Sequence, residues 1–443
     1  AKVPSHRLLA MRRGEKEGFL MLRVTIPEDK GFDTAKRLFV SGRGPAAEHF
    51  VNMVRGEGAA VWDDTGKRYV DAMASLWYCQ VGHGRTEIAE ATAAQMETLE
   101  AFHTFEMFTN DPTEQLCAAL AERSPMDGTR VFLTNSGSEA VETALKLSRL
   151  FWAWQDQPER RVIISRRRAY HGVGYGGTTA QGLPANREGW GELLADVVHA
   201  EADDLAQVKE LFAAYEGRVA AVITEPLQGA AGVYPPQPGY LEGLRALCDE
   251  HGALLIFDEV VSGFGRLGHW WGAQRYQVTP DLMCFAKGAT SGYLPLGGVL
   301  TSEKVNAVLE ADDTRMLRHG FTYSGHPTVC AAALANLAII EDEGLLERAV
   351  RIGDRLGPSL GALVDEGLAS ELRGTDGVWA LGLGDGVAPA AVRDHMLAAG
   401  VIPRPIPAAT VAFCPPLVIG DDDLDLIVDT TRKALADLAE AQA

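Results

Sequence analysis

The sequence predicts an α/β protein built on a mostly parallel, doubly wound sheet, and three observations predict it. Five short apolar runs lie between residues 130 and 290: RVFLTN at 130–135, RVIISR at 161–166, VAAVITE at 219–225, ALLIFD at 253–258 and LMCFAK at 282–287. Each is apolar throughout rather than alternating, as strands covered on both faces are. Helix-like segments separate them; in AVETALKLSRLF, residues 140, 144, 147 and 151 line one helical face. Strands and helices in alternation argue for a parallel sheet with helices packed on it.

The two ends of the chain read differently. In residues 1–75 the turn DDTGK at 63–67 separates two short strands, and 331–443 opens on an alanine-rich helix and closes on an amphipathic one from Asp421. The acidic run at 421–423 lacks the glycine and terminal glutamate of a calcium loop, so it is expected to start that last helix. Both ends together are expected to form a second unit beside the sheet.

Charge and cysteine usage narrow the function. Forty-one Lys and Arg against sixty Asp and Glu leave a net charge of −19, which repels nucleic-acid phosphates and anionic lipid. The 47% hydrophobic and 23% charged content excludes an extended disordered chain. Cysteines 79, 117, 248, 284, 330 and 414 form no CxxC and no zinc spacing with histidine, so they are expected to be reduced, mostly packed thiols, with no metal site. No apolar run reaches the ~18 residues of a membrane span. The first thirty residues mix charges of both signs and lack a signal peptide's apolar core, so a cytoplasmic location is expected.

Open α/β sheets bind ligands outside the carboxyl ends of their strands. Here four of those ends are polar: Asn135, Glu225, Asp258 and Lys287. Any one of them alone reads more readily as a helix cap or a charge reaching water; four together strain that reading. After Asn135, Ser136 and Glu139 frame a capping box, and the amides of such a helix start, with Gly137 allowing close approach, suit a phosphate. Lys287 at the end of an apolar strand would have its pKa lowered by burial, which favours the free, nucleophilic amine; the alternative is a structural lysine reaching for solvent. Asp258 could pair with a protonated ring nitrogen, or be an ordinary strand-end aspartate. Two G-x-G-x-x-G matches, 263–268 and 172–177, are set aside. Just before the first, Asp258 and Glu259 would face a diphosphate, and neither match is expected to open a helix.

The motifs NSGSEA at 135–140, AYHG at 169–172, Glu225-Pro226, IFDEVVSGFGRLG at 256–268, FAKGATSGYLPLGG at 285–298 and FTYSGHP at 321–327 occur in order. Over about residues 55–420 the chain thereby resembles the class III aminotransferases, pyridoxal 5′-phosphate (PLP) enzymes of fold type I. The resemblance implies a large PLP-binding domain at 80–330 and a small α+β domain from 1–79 and 331–443. It implies that Lys287 holds PLP as a Schiff base and then moves the substrate proton, and that Asp258 keeps the pyridine nitrogen protonated. Ser136, Gly137 and Ser138 would cradle the phosphate. Tyr170, with His171 beside it, and Val260 would flank the ring, and Glu225 would support the site. Thr322 would reach the phosphate of a neighbouring subunit, making the active unit a homodimer, or a tetramer built from it.

Within the family, SLWYCQVGHG at 75–84 and VIPRPIPAATVAFCPPL at 401–417 resemble the ω-amino acid and amine–pyruvate transaminases. Ala230 stands where ornithine- and GABA-type members carry a gating glutamate. By this likeness Arg404, on a mobile loop, would bind a keto-acid carboxylate, while Trp77, Leu76, Phe105 and Tyr170 would wall the amine substituent. Glu106 departs from the aromatic often found there. The expected reaction moves an amino group from an ω-amino acid or simple amine to pyruvate, with ping-pong kinetics. An aminomutase, a decarboxylating transaminase and an NAD-dependent oxidoreductase are the alternatives.

Overall fold

The computed structural model describes residues 51–441. The expectations for 1–30, and for residues 1–50 as part of a small domain, lie outside the described residues. From Met53 onward the chain forms one unit.

That unit opens with a meander of β1 (Met53–Glu57), β2 (Ala60–Asp63) and β3 (Arg68–Asp71). The predicted turn at 63–67 is there. Asp63 closes it by accepting from Thr65 N at 3.0 Å and Lys67 N at 2.9 Å. Helices α1 (Thr86–Leu99) and α2 (Asp111–Arg123) lead to the central sheet. It comprises β4 (Arg130–Thr134), β5 (Val162–Arg166), β6 (Val197–Ala200), β7 (Val219–Thr224), β8 (Leu254–Asp258), β9 (Leu282–Phe285) and β10 (Gly297–Thr301), in the order β4-β10-β9-β8-β7-β5-β6. Only β10 runs against its neighbours; it pairs antiparallel with β4 and β9, and the pairings from β9 through β6 are parallel.

All five predicted strands exist. Their unbroken apolarity has a direct cause: Ile256 and Leu254 pack into one core cluster with Ala140, Ala144, Leu147 and Phe151, whereas Leu255 and Phe257 enter another with Leu241 and Leu244. The first four belong to α3 (Gly137–Ala153), the predicted amphipathic helix. A short helix α4 (Tyr175–Ala180) follows β5, then α5 (Leu205–Ala214), and α6 (Tyr240–Glu250) carries the two leucines. Strands β6 and β10 escaped prediction. The first is a four-residue edge strand, only half-buried over most of its length, and the second begins with two glycines.

Beyond the sheet, the nearly all-apolar α7 (Pro327–Asp342) packs on α1 and α2. Helix α8 (Leu345–Asp365) lies on the sheet formed by β11 (Glu371–Thr375) and β12 (Val378–Gly382), and helix α9 (Pro389–Ala398) follows. Strand β13 (Val401–Ile402) runs parallel to β3 and so completes the first meander, while β14 (Arg404–Ile406) and β15 (Thr410–Phe413) join β12. The last helix, α10 (Asp421–Glu440), begins at the acidic run as expected, with Asp421, Asp422 and Asp423 in its first turn. Among the described residues no helix is long and apolar enough to cross a membrane. The six cysteines are free, and all but the half-buried Cys117 are buried.

The glycine motifs differ from expectation in one respect. The match at 172–177 does open a helix, α4, six residues long, because Glu142 on α3 accepts from Gly177 N at 2.9 Å and draws the turn against it. The match at 263–268 folds as a tight turn, with only the single helical turn Gly272–Arg275 after it.

Candidate active site

The carboxyl ends of β4, β5, β7, β8 and β9 open onto one cavity of about 580 Å³. Leu76, Trp77, Ser136, Gly137, Ser138, Tyr170, His171, Glu225, Asp258, Val260, Lys287 and Arg404 all line it. Residues widely separated in sequence are thus brought together as expected. Phe105 and Thr322 are not. Both are exposed and lie off this cavity, and Phe105 instead packs over Gly320, two residues before Thr322.

Asp258 ends β8 and is buried. Its Oδ2 accepts from His171 Nδ1 at 2.8 Å and its Oδ1 from Val260 N at 3.2 Å, so the carboxylate is held in one orientation. His171 is buried too, and its Nε2 has no partner among the described residues. Glu225 accepts from Tyr170 N at 2.9 Å through Oε1 and from Gly229 N at 3.1 Å through Oε2, pinning the two loops that carry the cavity walls. Burial raises its pKa, and nearby Asp258 adds to the rise against the pull of His171. Buried Arg166 donates to the Glu225 carbonyl at 2.5 Å and to Asp203 at 3.2 Å, fixing the end of β7 from behind.

Lys287 lies just past β9, which ends at Phe285, two residues earlier than the sequence suggests. Its φ of +46° turns the backbone sharply, an unfavourable conformation for a side chain of this kind. Burial lowers its pKa, opposed by the carboxylates of Asp258 and Glu225, and the lowering favours the free amine.

The N-terminus of α3 lines the same cavity. Ser136 Oγ caps it by accepting from Glu139 N at 3.2 Å. The reciprocal bond of the expected capping box is shifted by one residue, since Glu139 Oε2 accepts from Asn135 N at 2.7 Å. Ser138 Oγ accepts from Val173 N at 3.0 Å and steadies the loop bearing His171. A Cβ on Gly137 would stand 3.0 Å from Val260 Cγ2, so glycine keeps the space between helix start and Val260 open. Amides at a helix start, an adjacent gap, a buried carboxylate and an amine on one cavity fit the phosphate, ring nitrogen and aldehyde of PLP.

Arg404 begins β14, an edge strand paired with Ala412, rather than sitting in a loop. No carboxylate among the described residues lies within salt-bridge distance of it; it is exposed, and partial desolvation against the cavity lowers its pKa, opposed by Tyr170. Nothing in the sequence points to Leu183, Pro184, Ala185 and Asn186, which also line the cavity. They belong to a single helical turn with no periodicity to read. Ala230, Ala231, Val261 and Ile406 complete a wall poor in polar groups.

The family description aminotransferase class-III matches residues 43–435. Among similar proteins is a putrescine–pyruvate aminotransferase of Pseudomonas aeruginosa, 35% identical over 418 residues, covering 88% of this chain and 91% of that one. A β-alanine–pyruvate aminotransferase of the same organism is 38% identical over 326 residues, covering 68% and 72%. The crystal structure of an (S)-enantioselective ω-transaminase from Thermomicrobium roseum superimposes with a TM-score of 0.87 at 36% identity, covering 94% of this chain and 99% of that one.

Proposed function

Since the chain belongs to the class III aminotransferases, PLP-dependent enzymes of fold type I, we propose that it transfers an amino group from an ω-amino acid or simple amine to pyruvate, one site serving both halves of a ping-pong cycle. The observation that carries this reading is the convergence of Lys287, Asp258 and the start of α3 on one cavity that also holds Arg404. The pyruvate acceptor is supported by the names of the relatives above.

When bound, PLP supplies an aldehyde that takes up the amino group and a cationic ring that withdraws electrons from the carbon losing its proton. Lys287 would hold the cofactor through Nζ, and its free amine would carry the proton from the donor carbon. Asp258, oriented by His171, holds a proton on the ring nitrogen. Ser136, Gly137 and Ser138 bind the phosphate through the amides at the start of α3. Tyr170 and Val260, both lining the cavity, would flank the ring, and Glu225 fixes the backbone of Tyr170. Leu76 and Trp77 wall the amine substituent. A large domain at 80–330, with the rest of the described chain as a smaller one, places the cavity between them.

Arg404 reads the keto-acid carboxylate in this proposal. Arg404 is exposed within its own chain, so a charge-assisted contact of that kind is taken at the modest value of about 2 kcal/mol. Arg404→Ala is therefore expected to raise KM for pyruvate at least about thirtyfold, with little change for an uncharged amine. Steady-state kinetics with each substrate varied in turn measure this, and equal rises for both would make Arg404 structural.

The active unit is a homodimer located in the cytoplasm. Exposed Phe102, Phe105, Met107, Phe108 and Tyr323 support the dimer: Met107 is 86% and Tyr323 67% exposed, and the rings of Phe102 and Phe108 meet edge-on at 5.3 Å. Phe105 and Thr322, off the cavity of their own chain, serve that of the partner. Met107→Asp, which would bury a charge in such an interface, is expected to weaken dimerisation about a hundredfold, read by sedimentation velocity. An unaltered association constant would count against this face.

A further inference from the structure

We infer that Asp71 and His83 are positioning residues for the amine-binding wall: together they hold the strained backbone of residues 74–77, left-handed at 74, 75 and 77, that presents Leu76 and Trp77 to the cavity, and so set which amines the site accepts. The inference rests on the function proposed above.

The wall is made of strained chain. Ala74, Ser75 and Trp77 have φ of +47°, +59° and +66°, a region that side chains rarely adopt. Three such residues within four persist only where the surroundings over-determine them. Asp71, at the end of β3 and 2% exposed, supplies that constraint. Its Oδ1 accepts from Met73 N at 3.2 Å and its Oδ2 from Ser75 N at 2.6 Å. His83 Nε2 donates to the same Oδ2 at 2.9 Å and fixes the carboxylate's rotation. The imidazole is itself pinned. The backbone of His83 exchanges bonds with Gly58 at 3.0 and 2.8 Å, and a Cβ on Gly56 would lie 2.7 Å from His83 Cβ.

The two wall residues depend on this device differently. Trp77 is buried among Leu227, Val378 and Ile406, whose packing anchors it. Leu76 lines the cavity while 49% exposed, so little besides the backbone beneath it fixes its place. Loosening Asp71 or His83 should therefore move the wall and leave Lys287 and Asp258 where they are.

A rival use of the same residues is nucleophilic chemistry. Cys79 Sγ lies 3.8 Å from His83 Nδ1, which completes a Cys–His–Asp row. The thiol is 2% exposed, does not line the cavity, and is pushed up to about 12 by burial. A thiol so held is inert, and the row serves to orient the ring.

The holoenzyme and its variants His83→Ala, His83→Gln and Asp71→Asn test this. The amide of the glutamine can stand in for Nε2–H, whereas Asp71→Asn keeps the shape and removes one acceptor. Hydrogen exchange read by mass spectrometry should accelerate at least tenfold in peptides covering 73–79 for His83→Ala and Asp71→Asn, and return toward wild type in His83→Gln. The ratio of kcat/KM for 1-phenylethylamine to that for isopropylamine should change at least tenfold in the same two variants and recover in His83→Gln. Should His83→Ala not fold, Asp71→Asn against His83→Gln gives the same contrast. Faster exchange with an unchanged ratio would overturn the assignment, as would failure of His83→Gln to recover either measure. Modification of Cys79 by iodoacetamide at neutral pH in the native enzyme would overturn it in favour of a reactive thiol. A wild-type enzyme that transaminates neither amine would instead sink the proposed function, and the exchange data would still be readable.

Discussion

Lys287→Ala is expected to abolish amino-group transfer, lowering kcat by at least about 10⁴-fold, because one side chain is both the covalent tether and the proton carrier. The fold should survive. Residue 287 lies beyond the end of β9, and alanine is no more strained than lysine at a φ of +46°. The decisive measurement is chemical: borohydride reduction of the wild-type holoenzyme should leave a pyridoxyl adduct on the peptide containing residue 287, and the variant should carry none. A variant with more than about one per cent of wild-type turnover would refute the assignment.

Asp258→Asn is expected to have the second largest effect. The amide is nearly isosteric but cannot hold a proton on the ring nitrogen by charge, and it leaves buried His171 without its anionic partner at 2.8 Å. Removing one preorganised electrostatic contact of this kind lowers kcat by roughly 10²–10³-fold. Single-turnover measurement of the amine half-reaction isolates the step, since Asp258 acts on proton loss from the donor. A rate within threefold of wild type would show that the ring needs no charge at this position.

Most of the sheet and much of the cavity were legible in the sequence, for a physical reason. Strands covered on both faces must be apolar throughout, so a polar residue at the end of one stands out. Asn135, Glu225 and Asp258 were readable in that way, and Lys287 within two residues. What stayed illegible depends on long-range packing. The turn at 183–186 joins the cavity with no local pattern to announce it. Strand β10 is held by neighbours on both sides, which let it start on two glycines. The roles of Asp71 and His83 have no sequence signal, because only the folded chain shows the left-handed residues between them. Arg404 was found by its motif, but not the edge strand on which it stands.

The pairing of β3 with β13 has a consequence for biosynthesis. Val70 and Asp71 meet Val401 and Ile402, and the Ala72 carbonyl accepts from Cys414 N at 2.7 Å. Contacts this distant along the chain form late. During translation, then, the cofactor's lysine and aspartate can emerge and fold into the central sheet well before either substrate can be recognised. Recognition of either substrate therefore waits on a pairing that only a chain extended past residue 402 can make.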